Sequence, residues 1–225
     1  MNAGQLPLEF EHQPAFGRAD FVVAEANRGA VAWLDRWPDW PAPALALAGP
    51  PACGKTHLAS IWAERAGAKL MSSRELVGSP EVILQGRRSV VIDAADEGVD
   101  ERTLLHLYNH LAEISGHLLL TGRLPPARWP IRLPDLHSRL AAIPVAFVQS
   151  PDEVLLEAVL IKLFADRQLR VAPEIVSYLI PRIERSFGAM QDVVGKIDRV
   201  ALTGHRNVSL ILVRSVLDGN DQGAK

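Results

Sequence analysis

Short apolar runs alternate with amphipathic stretches along the first two thirds of the chain. Leu45–Ala48, Ala68–Met71, Ser89–Asp93, His117–Thr121 and Val145–Val148 are four or five residues long and apolar almost throughout. That is the pattern of strands buried on both faces. Between them lie stretches with helical spacing, over Glu25–Trp37, Gly54–Glu64 and Glu101–Ile114. The break Trp37-Pro-Asp-Trp-Pro-Ala-Pro43 separates the first helix from the first strand. Strands that alternate with helices predict an α/β fold, a parallel sheet with helices on both sides.

The period changes after Gln149. Ser150-Pro-Asp-Glu153 reads as a capping box with proline at the first helical position. The helix it opens carries Leu156, Val159, Leu160, Leu163 and Phe164 on one face. A second helix follows Pro173, with Val176, Leu179, Ile180 and Ile183. Ser186 is placed to cap a third, ended by Gly204, and Ser209 a fourth over Leu210–Leu217. The expected division is a flexible arm over 1–15, an α/β unit over 16–149, an all-helical unit over 150–218 and a tail over 219–225.

Composition narrows the class further. The 225 residues are 48% hydrophobic and 22% charged, which is enough apolar surface for a packed core. Lys and Arg total 24 against 26 Asp and Glu, and the two halves of the chain are balanced alike, so no basic tail or bulk charge points to nucleic-acid coating. The single cysteine, Cys53, excludes an intrachain disulfide and a cysteine-built metal site. No basic-then-apolar leader and no run of membrane-spanning length appears, so a cytoplasmic protein with no membrane association is expected.

The most specific chemistry lies at residues 49–56, Gly-Pro-Pro-Ala-Cys-Gly-Lys-Thr, a full match to the phosphate-binding loop G-x-x-x-x-G-K-[ST] between a strand and a helix. Backbone N–H groups at Gly49, Ala52, Cys53 and Gly54, with Pro51 shaping the loop between them, and the positive end of the following helix would cradle phosphate oxygens. Lys55 would neutralise the outer phosphates, His57 would line the site, and Thr56 would ligate Mg²⁺ together with Asp93 at the end of the Ser89–Asp93 strand. The position after Asp93 is Ala94, which cannot act as a base. Asp96 and Glu97 stand nearby but read as helix-start acids. Thr121 ends its strand where a hydroxyl would meet the terminal phosphate or the attacking water. The neighbouring tryptophans Trp33, Trp37 and Trp40 read as packing caps beside the proline-rich break.

The order strand, phosphate loop, helix, strand–Asp, strand–Thr and helical lid resembles the AAA+ ATPases. Among them it is most similar to the DnaA family and its Hda-type regulators of bacterial replication initiation. The resemblance rests on GPPACGKT, VVID, Leu107-Tyr108-Asn109, the stretch LLLTGRLPPARW over 118–129, and Leu133-Pro-Asp-Leu-His-Ser-Arg-Leu140. It extends to Asp20-Phe-Val-Val23 with Asn27, which resembles the family's adenine-pocket segment, so Val22, Val23 and Asn27 are expected to bind nucleotide. It runs in order over about residues 16–218 and implies ATP or ADP and Mg²⁺ as ligands. Arg139, in the L-x-S-R-L stretch, is implied to be an arginine finger presented to a nucleotide on a neighbouring subunit. One departure concerns the lid, where Gly188 occupies the position of the family's sensor arginine. Arg185, one turn earlier, is the candidate to replace it.

Gln5-Leu6-Pro7-Leu8-Glu9-Phe10 resembles the peptide by which bacterial proteins dock into the β sliding clamp. Gln5 would supply a directional hydrogen bond, and Leu6, Leu8 and Phe10 apolar anchors. The resemblance implies an Hda-like regulator with the clamp and DnaA as partners, a possible homo-oligomer, and DNA reached only through the clamp. It would stimulate hydrolysis of DnaA-bound ATP, while its own hydrolysis is expected to be weak. Two other readings remain open, a helicase-loader-type AAA+ protein and a nucleotide-stabilised, non-enzymatic clamp adaptor.

Overall fold

The computed structural model describes residues 22–204 and 207–218. The element order is α1 (Glu25–Asp35), β1 (Ala44–Ala48), α2 (Lys55–Ala66), β2 (Lys69–Ser72), α3 (Pro80–Leu84), β3 (Ser89–Asp93), α4 (Glu101–Glu113), β4 (His117–Gly122), α5 (Pro134–Ala142), β5 (Val145–Phe147), α6 (Glu153–Asp166), α7 (Pro173–Leu179), α8 (Phe187–Gly204) and α9 (Leu210–Leu217). The five strands form one sheet in the order β2-β3-β4-β1-β5, parallel at every pairing. All five apolar runs are therefore strands, each within a residue or two of its expected bounds.

Alternation along the strands divides the sheet's interior into two cores. Ala44, Ala46, Val90, Ile92, Leu118 and Leu120 face α3, α4 and α5 and pack with Leu84, Leu104, Leu107, Leu111, Leu136 and Leu140. Leu45, Leu47, Val91, Leu119, Ala146 and Val148 face α1 and α2, among Ala30, Leu34, Leu58, Ala59 and Trp62. The interior strand β1 is buried at every position, because parallel sheets are covered on both faces. The proline-rich break folds into an aromatic cluster at the lower edge. Trp40 stacks on Trp62 with ring centroids 5.2 Å apart, and Trp37 meets Trp62 edge-on. Trp37 and Trp40 thus cap the core, as expected.

Helices α6–α9 enclose a third core built from Leu156, Val159, Leu160, Phe164, Val176, Leu179, Met190, Val194, Ile197 and Val213. Val22, Ala24 and Ala26, at the head of α1, pack against it and tie this lid to the sheet unit. The start of α6 differs from expectation. Asp152 is the N-cap, its carboxylate accepting the Leu155 N–H at 2.8 Å, whereas the Ser150 capping box would begin the helix two residues earlier. Aspartate is as strong a cap as serine, and here Pro151 lies outside the helix instead of in its first turn. Ser209 does cap α9, accepting from the Leu212 N–H. The five-residue helix α3 is too short for helical periodicity to reveal.

Candidate phosphate-binding site

Parallel α/β sheets gather functional groups at the carboxyl ends of their strands. Here β1, β4 and β3 lie side by side and end in Gly49, Thr121–Gly122 and Asp93. Gly49 begins the loop against its neighbours, its N–H donating to the Gly122 carbonyl at 3.2 Å. A Cβ at Gly49 would stand 2.1 Å from the Val148 carbonyl oxygen, so only glycine fits between β1 and the chain leaving β5. Gly54 turns the loop into α2 with φ +99°, a left-handed conformation that favours glycine.

Lys55 and Thr56 leave the first turn of α2 in different directions. The Lys55 ammonium donates to the Gly49 and Pro50 carbonyls at 2.8 and 2.7 Å, which places a positive charge inside the loop. The Thr56 hydroxyl donates to both oxygens of Asp93, at 3.0 and 3.3 Å. Hydroxyl and carboxylate thus converge from separate elements, as the protein's share of a Mg²⁺ site requires. Among the described residues no cluster of three or more His, Cys, Asp or Glu is arranged to hold a metal. An ion here would complete its octahedral oxygen shell with phosphate and water, the usual habit of Mg²⁺. The residues fit a Mg–nucleotide, and that ligand would supply the phosphoryl group while this chain supplies cradle and charge.

Cys53 is buried beneath the loop with its sulfur 3.7 Å from the Lys55 ammonium. Burial pushes the thiol pKa up, and the Lys55 charge only partly opposes that. A cavity of about 250 Å³ opens above the loop, lined by Ala52, Gly54, Lys55, Thr56, His57, Ser60 and, from the lid, Ser186, Phe187, Gly188 and Gln191. The Phe187 ring lies over Gly54 and stacks on His57, centroids 5.9 Å apart. This lid contact was not legible in the sequence, because nothing in a helical pattern says which helix N-terminus comes to rest on the loop.

Several predicted residues have protein partners in this structure. Thr121 is 1% exposed and donates to Asp93 while accepting the Ala94 N–H at 2.9 Å. It orients the Asp93 carboxylate through this bond. Ala94 adopts φ +53°, an unusual conformation for a residue with a Cβ. Asp96 accepts the Arg123 N–H at 2.7 Å, and Glu97 pairs with the Arg123 guanidinium at 3.0 Å. Both acids sit in a 3-10 turn and bind the loop after β4, so neither stands in for the base missing at Ala94.

Asn27 is buried, and its amide is spent on the head of α1. Its oxygen accepts the Ala24 N–H and its nitrogen donates to the Val22 carbonyl. Asn27 therefore shapes the Val22–Ala24 segment, with Val22 half-buried against the lid core and Val23 exposed. None of the three lines the cavity above the loop. Arg185 turns away to pair with Glu153 of α6 at 3.2 Å, and no arginine is among the described residues that line the cavity. Gln5, Leu6, Leu8 and Phe10 lie outside the described residues.

Arg139 projects from α5, half-exposed and outside the cavity lining. Its Nε donates to Asp135 at 3.0 Å, and its guanidinium lies 5.8 Å from the centre of the Tyr108 ring. Among the described residues its two Nη groups have no hydrogen-bond partner.

Five parallel strands in this order, a phosphate loop after β1 and a helical lid over it define a P-loop protein of AAA+ fold. No protein-family model matches the chain. Its fold is similar to that of domain III of the replication initiation protein DnaA from Thermotoga maritima, with TM-score 0.76 and 17% identity over 93% of this chain and 98% of that one. It is similar also to AMPPCP-bound DnaA from Aquifex aeolicus, with TM-score 0.67 and 16% identity over 85% of this chain and 66% of that one. The Thermotoga maritima RuvB Holliday junction branch migration motor matches with TM-score 0.63 and 13% identity, over 86% and 66% of the two chains. At these identities the likeness establishes a DnaA-like AAA+ fold. Among the described residues, no helix is long and apolar enough to cross a membrane.

Proposed function

We propose that this chain is an Hda-like regulator that binds ATP or ADP with Mg²⁺ at residues 49–56 and promotes hydrolysis of ATP held by DnaA. The observation that carries this reading is the contrast between two sites on one chain. The phosphate loop has its lysine, its hydroxyl and its carboxylate in place, but Ala94 follows Asp93 and Asp96 and Glu97 are engaged elsewhere. Arg139, by contrast, is half-exposed on α5 and lies outside the lining of the cavity above the loop. A nucleotide bound by its own loop would fix the lid against the sheet unit through Phe187 and Gly188. The guanidinium would act on the neighbour's nucleotide, stabilising charge on the transferring phosphoryl group.

In this reading Gln5, Leu6, Leu8 and Phe10 dock the arm on the β sliding clamp. The clamp carries the protein to DNA without direct DNA contact, which suits a chain whose formal net charge is −2. The adaptor reading keeps the nucleotide and the clamp but gives Arg139 no role. One assay separates the two: hydrolysis of DnaA-bound ATP with DNA-loaded clamp, in the presence of wild type or Arg139→Ala. The finger reading expects the variant to keep nucleotide and clamp binding and lose roughly 10³-fold in stimulation, the lower end of the range for trans arginines. Full stimulation by Arg139→Ala would refute it.

A further inference from the structure

We infer that Glu101 is a positioning residue for Arg139, the remote cap that fixes the helix carrying the finger. This rests on the reading of Arg139 given above. The start of α5 has no cap of its own. Its N-cap is Leu133, without a side-chain hydrogen bond, and Pro134 at the first helical position has no N–H. The backbone donors just ahead of the helix turn instead to a carboxylate 31 and 32 residues earlier in the chain. Glu101 accepts the Arg132 N–H at 3.0 Å through Oε1 and the Leu133 N–H at 2.7 Å through Oε2. It thereby satisfies two donors and sets a negative charge at the positive end of α5.

The same helix that supplies Glu101 also supplies the surface under the finger. Glu101 is the first residue of α4, and Tyr108, two turns on, places its buried ring beside the Arg139 guanidinium. Arg139 lies five residues after Pro134, about 7.5 Å along α5. A shift at the capped end therefore carries directly to the guanidinium. Asp135 restrains Nε as well, but an exposed i, i+4 pair of this kind is weak and yields readily. The Glu101 contacts are the stronger constraint, because a charged acceptor binds two main-chain donors that have no alternative cap.

The start of α4 is tied in turn to the phosphate site. Asp93 holds Thr121, Thr121 holds the Ala94 N–H, and Asp96 and Glu97 bind Arg123 on the way to α5. Residues 93–101 and 121–133 thus form one hydrogen-bonded strip from the Mg²⁺ acid to the finger helix, and Glu101 is its last link.

The test follows hydrolysis of DnaA-bound ATP with DNA-loaded clamp across a concentration series of wild type, Arg139→Ala, Glu101→Ala and Glu101→Gln. Amide exchange is measured on each full-length protein. Misplacing a catalytic group by about 1 Å costs up to roughly 100-fold in rate, so Glu101→Ala is expected to lower the maximal stimulated rate by about 10- to 100-fold. Its half-saturating concentration should stay within about twofold of wild type, because the docking surfaces are untouched. Glu101→Gln keeps a carbonyl acceptor and should recover part of the rate. Exchange should rise at Arg132 and Leu133 while α4 and β4 remain protected. Wild-type maximal rate in Glu101→Ala, beside a loss in Arg139→Ala, would overturn this proposal alone. So would a rate loss accompanied by deprotection throughout α4 and β4, since that is plain destabilisation. Equal rates for wild type and Arg139→Ala would remove the finger reading and this proposal with it.

Discussion

Replacing Gly188 with arginine should restore a triphosphate preference without changing the stability of the protein alone. Gly188 is the second residue of α8 and lines the cavity above the phosphate loop, and a Cβ there meets nothing within 4 Å. Two backbone effects oppose each other. Removing glycine from a helix interior gains up to about 1 kcal/mol, less in the first turn, whereas a cation at a helix N-terminus costs about 0.3–1 kcal/mol. They nearly cancel, so the melting temperature without nucleotide should move by less than about 2 °C. A charge-assisted hydrogen bond to phosphate is worth about 1.5–3 kcal/mol, and the open position of Gly188 puts the gain at the lower end. ATP affinity should therefore rise about 10-fold, with ADP affinity little changed, because only the longer chain of phosphates extends toward the lid. Titration with fluorescent ATP and ADP analogues, paired with thermal melts, reads both quantities. Equal tightening for the two nucleotides would refute the reasoning, since it would mean a general electrostatic effect. A melting temperature lowered by more than about 5 °C would refute the open geometry.

Further outcomes follow from other parts of the site. Ala94→Gly should raise stability by about 1 kcal/mol, or about 2–4 °C in melting temperature, because it relieves a left-handed residue with φ +53°; an unchanged or lower melt would contradict that conformation. Burial raises the Cys53 pKa, so little thiolate is present at neutral pH and alkylation by iodoacetamide should be slower than for a free cysteine. It should accelerate with rising pH and slow when ADP is added; a rate matching that of glutathione would contradict the burial. The sign for stability is fixed by the same shift. A raised pKa means the folded state holds the proton more tightly, so the contribution is complete below the thiol's ordinary value and declines as pH rises through the folded one.

The elements that could be read in sequence were those whose signal is local. Five apolar runs became five strands, because burial on both faces demands apolar residues at consecutive positions. The phosphate loop was legible for the same reason. Gly54 is required by the loop's own geometry, and Lys55 and Thr56 by their place in the first turn of the next helix, while Gly49 is required by the close approach of Val148. Contacts to partners distant in sequence were not legible in that way. The Asn27 amide is buried against the backbone of residues 22–24, and the Thr121 hydroxyl bonds to Asp93. Arg185 is paired with Glu153 of α6. In each case the residue type was informative, but a short polar side chain has many possible partners and its neighbours in space decide among them.

By itself, then, the sequence determined a parallel α/β unit, a phosphate loop, an acid at the end of a second strand, and a helical segment beyond residue 150. These follow from hydrophobic period and backbone sterics, which act over a few residues. The tertiary structure decided that β4 lies between β1 and β3, so that Thr121 meets Asp93 while Gly122 meets Gly49 of the loop. It set Phe187 on Gly54 and His57, and it brought Glu101 to the bare end of α5. Such contacts join positions about 30 to 130 residues apart and depend on strand order and helix placement. The folded chain alone fixes those, because hydrogen bonding and packing act between neighbours in space.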